Sequence, residues 1–341
     1  FKYKITYYSM TSYDISSRVD ISISKTPSLA YNNLTCNGTT VAFAHKTEVI
    51  TFSETTGTGK SSVKETTLKP RLPESKVIQV KWCHIGGRDY LVVGSGAGLA
   101  VYDESVSSSV FVMELASQDV PIQDPEAAFV RGITAVPSTS HICAGSSTGH
   151  IFVLSVNGES IELDTTIKPH ADDENAATSA MACSKSWVVA ASDSGSVQIF
   201  DATNDFQLSA RFPGTAPCTS VCTTGDVLVA GYTTGHLRLY RLSTKVIFAE
   251  IGAHTRAVTA IDAHPELSQF VSVGEDSIIN VWQIATVDES KGGEDPLVSV
   301  LFTATSADSL LTGVAFSRNG TSNLLTTSYD QKRVRIFTPH R

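Results

Sequence analysis

The sequence predicts an all-β protein built from repeats of short antiparallel strands, and three observations support this prediction. First, short runs of alternating apolar and polar residues recur between turn residues, which is typical of half-buried strands and not of helices. Second, a bulky apolar residue closes such a run about every 40 to 55 residues, a period typical of stacked β-repeats, at Phe52, Tyr102, Leu154, Phe200, Tyr240, Trp282 and Phe337. Third, a glycine precedes several of these runs and can supply the positive φ of a tight hairpin turn, at Gly98, Gly149, Gly195 and Gly235.

Composition argues against several classes of partner. The chain has 26 basic and 34 acidic residues, and this acidic balance disfavours nucleic acid and anionic membranes. No apolar run approaches the ~18 residues of a membrane helix, and the first ten residues lack the apolar core of a signal peptide. The six cysteines are mostly scattered singly, which favours a reducing compartment over a disulfide framework.

The repeat is clearest in residues 252–282, GAHTRAVTAIDAHPELSQFVSVGEDSIINVW. With His254 near its start, Asp276 in an acidic turn and Trp282 at its end, this segment resembles the WD-repeat family, in which four antiparallel strands form one blade of a β-propeller. The resemblance implies that these three residues and Ser272 join in a hydrogen-bonded network inside the blade. Such a network satisfies buried polar groups and is not a catalytic triad. The resemblance implies the same structural role for His170.

The resemblance also implies one β-propeller domain over residues 1–341, with about seven blades over residues 27–341. We expect the repeats at 27–54, 77–116, 127–170, 177–214, 217–254, 257–305 and 310–341. The last repeat has only three strand-like runs, and a propeller ring closes well when the two chain ends share a blade.

We therefore predict that residues 19–25, within the N-terminal segment 1–26, complete the C-terminal blade. A ring of eight blades, or one closed by residues 3–8, is the alternative. Residues 55–76, which are rich in Thr, Ser, Gly and Lys, are expected to form a flexible polar loop.

Several motifs suggest chemistry but lack the residues that it needs. Gly59-Lys60-Ser61 resembles the end of a P-loop, yet Glu54 stands where the first glycine is required. Cys218 and Cys222 are expected on one face of a strand as buried thiols, because no second pair of zinc ligands accompanies them. We therefore expect no nucleotide, no metal and no other cofactor.

The remaining polar clusters are expected to be solvated. His150 and His236 follow equivalent glycines and are interpreted as turn histidines. The acidic stretches 172–174 and 288–289 lack the alternating spacing of a calcium-binding loop and are interpreted as surface loops.

Arg131 and Arg256 are the candidate partner-binding residues. Each stands just before the first strand of its repeat, where loops open onto one face of the ring. Arginine is enriched at interface hot spots because its planar guanidinium pairs bidentately and its stem packs. The alternative is an arginine that is solvated or paired within its own repeat.

The sequence thus favours a non-enzymatic scaffold or adaptor that binds other proteins or peptides. Beyond the generic repeat, strings from Val80, Ala127, His141, Val227 and Ala253 resemble one particular family of WD-repeat proteins over roughly residues 77–341. That resemblance implies a cytoplasmic, vesicle-associated or ciliary adaptor. The alternatives are a stoichiometric subunit of a cytoskeletal, ciliary or coat assembly and, less favoured, a propeller-based enzyme, which would need convergent titratable side chains in the central channel.

Overall fold

The computed structural model describes residues 15–53, 63–122, 124–158, 160–173, 176–285 and 296–339; for residues 15–17 and 339 it describes the backbone alone. Within these ranges the chain forms 28 strands in seven four-stranded antiparallel sheets. The predicted seven-bladed β-propeller is therefore confirmed.

The sheets follow one another along the chain, and we number the blades in that order. Blade 1 contains β2 (Thr35–Cys36), β3 (Thr40–His45), β4 (Glu48–Ser53) and β5 (Glu65–Leu68). Blade 2 contains β6 (Val77–Ile85), β7 (Arg88–Ser95), β8 (Gly98–Tyr102) and β9 (Ser109–Glu114). Blade 3 contains β10 (Val130–Val136), β11 (His141–Ser146), β12 (Ile151–Asn157) and β13 (Ser160–Ile167). Blade 4 contains β14 (Thr178–Ser184), β15 (Trp187–Ser192), β16 (Val197–Asp201) and β17 (Gln207–Phe212).

The remaining blades complete the ring. Blade 5 contains β18 (Cys218–Thr224), β19 (Val227–Tyr232), β20 (His236–Arg241) and β21 (Val246–Gly252). Blade 6 contains β22 (Val258–Ala263), β23 (Gln269–Gly274), β24 (Ile278–Ile284) and β25 (Val298–Thr305). Blade 7 contains β26 (Leu311–Phe316), β27 (Leu324–Ser328), β28 (Arg333–Pro339) and β1 (Ile15–Ser22). Short 3₁₀ turns span Leu115–Ser117, Pro137–Thr139 and Ala171–Asp173.

The first strand of each blade lies innermost, because the first strands of neighbouring blades pack against one another around the axis. The first strand of blade 1, β2, has only two residues, but it too lies innermost, between β26 and β6. We call the end of the ring where these strands begin the upper face and the opposite end the lower face. The upper face carries the connections between blades, and the lower face carries the turns between the first and second strands.

The N-terminal strand closes the ring, as predicted. β1 pairs antiparallel with β28, with Val19 opposite Ile336, and so becomes the outer strand of blade 7. The strand spans residues 15–22 and not the predicted 19–25, because the chain leaves the sheet after Ser22 to reach blade 1. The alternative closure by residues 3–8 lies outside the described residues.

Apolar side chains between neighbouring blades form the core of the protein. The described residues contain seven such clusters, one for each pair of adjacent blades. One of them joins Phe43 and Ile50 of blade 1 to Leu325 and Ile336 of blade 7, and this cluster closes the ring. Strands that are apolar on both faces are therefore buried on both faces, as sheets sandwiched between neighbours require.

The inner strands have one edge that pairs with no other strand. Side chains of the preceding blade accept hydrogen bonds from several backbone amides on this edge. These contacts join Thr35 Oγ1 to Trp82 N (3.1 Å), Gln79 Oε1 to Gly132 N (2.7 Å), Ser220 Oγ to Ile261 N (2.9 Å) and Asp262 Oδ2 to Phe316 N (2.9 Å). They satisfy donors that would otherwise be buried without partners.

Glycines set the turns before several third strands, as predicted. Gly235 has a φ of +81°, and a Cβ atom there would lie 2.1 Å from the carbonyl oxygen of His254. Gly195 has a φ of +88° with an equally close approach to Ala216. A side chain at either position would therefore strain the backbone and collide with the connection between two blades.

One segment departs from the expected loop. Residues 65–68, within the expected loop at 55–76, form the outer strand β5 of blade 1. This polar segment can pair with β4, because an outer strand has one edge in solvent. The Gly59-Lys60-Ser61 motif and the acidic pair at 288–289 lie outside the described residues.

The first testable prediction concerns ring closure. Arg335 on β28 is only 4% exposed, its Nε donates to Asp20 Oδ1 of β1 at 2.9 Å, and its NH1 donates to Ser306 Oγ. Asp20→Ala leaves this buried guanidinium without a carboxylate, so we expect the free energy of unfolding to fall by roughly 1–3 kcal/mol. Glu104→Ala, which removes an exposed carboxylate from blade 2, is the control in urea denaturation. Equal losses in the two variants would contradict the role of Asp20.

Candidate interaction surfaces

The four residues expected to form a blade network lie together in blade 6. His254 Nδ1 lies 3.0 Å from Asp276 Oδ1, and His254 Nε2 lies 2.8 Å from Ser272 Oγ. Trp282 Nε1 donates to Ser272 Oγ at 3.0 Å. Because a carboxylate only accepts, Nδ1 of the neutral imidazole carries the proton and Nε2 accepts from the serine. The chain of hydrogen bonds therefore runs from the connection before β22 to the third strand of the same blade.

Burial determines the protonation of this network. Burial lowers the pKa of His254 below its usual value, and the carboxylate of Asp276 opposes this effect without overcoming it. Burial alone would raise the pKa of Asp276, but hydrogen bonds from the Thr255 amide and from His254 hold it below its usual value. The network is thus a neutral imidazole bound to a carboxylate, and the imidazole faces the serine and not open solvent.

His170 does not join such a network, and the expectation for it is wrong. Its side chain is 41% exposed and its Nδ1 accepts a hydrogen bond only from the Asp172 amide. Asp173, which is 3% exposed, occupies the place of the buried polar residue in blade 4. The reason is spacing, because His170 lies twice as far before β14 as His254 lies before β22.

Asp173 is a residue that sequence reasoning missed. Its carboxylate accepts hydrogen bonds from Ser194 Oγ (3.1 Å), Gln198 Nε2 (2.8 Å) and Arg211 Nε (2.6 Å). These donors lie in three different segments of blade 4. The buried carboxylate of Asp173 therefore links these segments, as the imidazole of His254 links segments of blade 6. Asp173 lies five residues before β14, one more than His254 lies before β22, so the spacing of the blade 6 network would not have identified it.

Two further expectations change with the structure. His150 is not a solvated turn residue, because its side chain is buried and its Nδ1 lies 2.9 Å from Thr148 Oγ1. Cys218 and Cys222 do not share a face: Cys218 packs between blades 4 and 5, and Cys222 packs between blades 5 and 6. A β-bulge between Cys218 and Ser220 shifts the alternation of side chains along β18.

Arg131 is held inside the ring and is not displayed in a loop. It lies on the inner strand β10, its Nε donates to the Thr178 carbonyl at 3.1 Å, and its NH2 contacts both carboxylate oxygens of Asp193 at 2.9 and 3.0 Å. Its guanidinium also lies over the ring of Phe129, 4.9 Å from the centroid. The side chain therefore links blade 3 to blade 4, a pairing between repeats that the sequence did not indicate.

Arg256 is displayed on the upper face. Its side chain is 67% exposed, and its NH2 lies 3.4 Å from Glu275 Oε2. The hydroxyl of Tyr31 donates to the other oxygen of Glu275 at 2.9 Å. Burial and the neighbouring carboxylate raise the pKa of Tyr31 to about 12, so the hydroxyl keeps its proton. We call Tyr31, Arg256 and Glu275 the upper-face cluster.

The connection from β1 to β2 reaches the axis of the ring beside this cluster. Asn32, with a φ of 56°, donates from its backbone to the Thr259 carbonyl at 3.1 Å. Its side chain accepts from Ser220 Oγ at 2.6 Å and donates to the Thr219 carbonyl at 3.0 Å. One residue between blades 7 and 1 is thus bound to the inner strands of blades 5 and 6.

The described part of the chain offers neither a metal site nor a membrane-spanning helix. No group of three or more His, Cys, Asp or Glu side chains there could hold a metal ion. No helix among those residues has the length and apolar character to cross a membrane.

The second testable prediction concerns the blade 6 network. Ser272→Ala removes the hydrogen-bond partner of both His254 and Trp282 inside the blade, so we expect the free energy of unfolding to fall by roughly 1–3 kcal/mol. Ser209→Ala, which changes an exposed serine on β17, is the matched control. Denaturation midpoints that coincide for the two variants would sink the idea that the network stabilises the blade.

The third prediction concerns pH. The pKa of His254 is lowered on folding, so its contribution to stability is present above the unfolded value near 6.5 and is lost as the pH falls through the folded value. We expect the stability difference between the wild type and His254→Gln to shrink as the pH is lowered from 8 to 5, because glutamine does not titrate. A constant difference, measured by urea denaturation at each pH, would contradict the buried neutral imidazole.

Comparisons with known proteins agree with this fold. The model of the WDR54 family matches residues 63–339. WD repeat-containing protein 54 of Homo sapiens is 30% identical over 270 residues, which cover 77% of this chain and 78% of the human one. The Mus musculus protein of that name is 32% identical over 220 residues, covering 63% and 65%.

A solved structure supports the fold alone. A chain of "Crystal Structure of Mitotic Checkpoint Complex" aligns with a TM-score of 0.73 at 17% identity, covering 100% of this chain and 96% of that chain. The match to the family model and the 30% identity to the human protein show the family as well as the fold. The chain belongs to the WD repeat-containing protein 54 family.

Proposed function

We propose that the protein is a non-enzymatic scaffold that binds partner proteins through the loops of its upper face. The observation that carries this proposal is the upper-face cluster. Arg256 is exposed, while its partner Glu275 is held by Tyr31 from a different part of the chain. A charged side chain is thus presented to solvent from a position fixed by the ring.

A preorganised surface suits this role. The three side chains of the cluster come from the connection between blades 7 and 1 and from blade 6, so little rearrangement is needed when a partner binds. Binding to such a surface loses less conformational entropy than binding to a disordered loop. The planar guanidinium of Arg256 can pair bidentately with a partner's carboxylate.

The proposal assigns partner binding to Arg256 and not to Arg131. The Arg131 guanidinium already contacts Asp193 and the Thr178 carbonyl, so a partner would have to replace contacts that join two blades. A change at Arg131 would therefore mix an effect on binding with an effect on the ring.

The proposal places the scaffold in the cytoplasm, associated with vesicles or cilia. All six cysteines, each within the described residues, are free thiols, and five of them are buried. This arrangement fits a reducing compartment. A subunit of a permanent assembly is the competing function, and co-purification at fixed stoichiometry would distinguish it from an adaptor with exchanging partners.

The fourth prediction tests this function. In quantitative affinity capture from native lysate, Arg256→Glu should reduce the recovery of specific partners by about tenfold, because the new carboxylate faces Glu275 and repels acidic partners. Lys185→Glu, on the lower face between β14 and β15, carries the same change of charge as a control. A partner set that is unchanged by Arg256→Glu would overturn the assignment of the upper face.

A further inference from the structure

A cavity of about 630 Å³ lies on the axis of the ring and opens at the lower face. Its walls come from the lower halves of the inner strands and include Trp82, Met181, Val221 and Ile261. Above it the axis narrows to a space of about 40 Å³ that Asn32 lines. The cavity is therefore wide at the lower face and narrow above, and its size is within the roughly 300–1,000 Å³ of ligand pockets.

The acidic groups around the mouth are already bound. Asp89 Oδ1 lies 2.7 Å from His84 Nδ1, and its Oδ2 accepts from Asn37 Nδ2 at 2.9 Å. Asp262 Oδ2 accepts from the Phe316 amide at 2.9 Å, and its Oδ1 lies 3.6 Å from Arg318. Neither carboxylate forms a hydrogen bond or an ion pair with Lys81.

Lys81, a cation that lines the same cavity, differs from these paired carboxylates. It lies in the middle of β6 and lines both the cavity and the narrow space above it. Its ammonium makes no hydrogen bond or ion pair with any residue that the structure describes. The charge also acts on Cys222 of blade 5 across the axis: burial raises the pKa of that thiol, and Lys81 opposes the effect. Lys81 thus lines the axial cavity without a counter-ion among the described residues.

We propose that the lower cavity binds an acidic peptide segment of a partner protein, with a glutamate or aspartate carboxylate paired to Lys81. Arg318 at the mouth, 41% exposed and only loosely paired, is the second contact for such a segment. The apolar walls accept the methylene groups of the inserted side chain. This inference rests on the proposed function in one respect, namely that the ring binds proteins. The surface to which it assigns binding is the lower cavity and not the upper face.

The geometry limits what can occupy the site. The narrow upper end favours a side chain or a chain terminus over a segment that threads through the ring. A cation in the wall of a cleft attracts an anion more strongly than one on an open surface. Lys81, which has no ion-pair partner among the described residues, therefore favours a carboxylate over a neutral or basic side chain.

The fifth prediction uses a fluorescein-labelled hexaglutamate peptide and the full chain. At low ionic strength we expect fluorescence anisotropy to show saturable binding that weakens as salt is added. Lys81→Met should weaken binding by about tenfold or more, because the cation that pairs with the peptide carboxylate is lost, and Lys81→Arg should retain it. Lys185→Met, outside the cavity on the same face, is the matched control, and thermal melting shows that each variant is folded.

Each other outcome overturns the inference. If hexaglutamate does not bind, or binds Lys81→Met as tightly as the wild type, the cavity is not an acidic-peptide site. Tighter binding of a phosphoserine peptide of equal length would assign the site to phosphate instead. Because Arg256→Glu leaves the lower cavity intact, failure of this test and failure of the upper-face test are separate results.

Discussion

The whole structure depends on closing the ring. Every blade is apolar on both faces, so a blade without a neighbour on either side would expose a core cluster to water. β1 solves this problem by pairing with β28 and bringing the two ends of the described chain into one blade. Asn32, in the connection that follows, then binds the inner strands of blades 5 and 6, so the same stretch of chain both closes the ring and narrows its axis.

The closed ring engages several polar side chains in contacts that hold the blades together. Hydrogen bonds inside the blades engage His254 and Asp173, and a contact between blades engages Arg131. Among the described residues, Arg256 is exposed at the upper face, and Lys81 lines the cavity that opens at the lower face. The two proposals therefore assign chemically different surfaces to the two faces of one ring.

Much of the fold could be predicted from the sequence. The recurring closing residues follow from local periodicity, and the need for a closing strand follows from counting only three strands in the final repeat. The side chains that matter for binding could not. The bulge in β18 reverses the face of Cys218, and Arg131 pairs with an aspartate of the next repeat, 62 residues along the chain. Lys81 looks like any polar residue of an alternating strand, and only the assembled ring shows that it lines the axial cavity without a counter-ion among the described residues.

The central claim is that the seven blades form one closed ring, and native-state hydrogen exchange tests it most directly. The account predicts that the slowest amides of β28 open with about the same free energy as those of the inner strands of blades 3 to 5, because the ring opens as one unit. Amides of β28 that exchange orders of magnitude faster than those of the other blades would show that β1 does not close the ring, and would contradict the account.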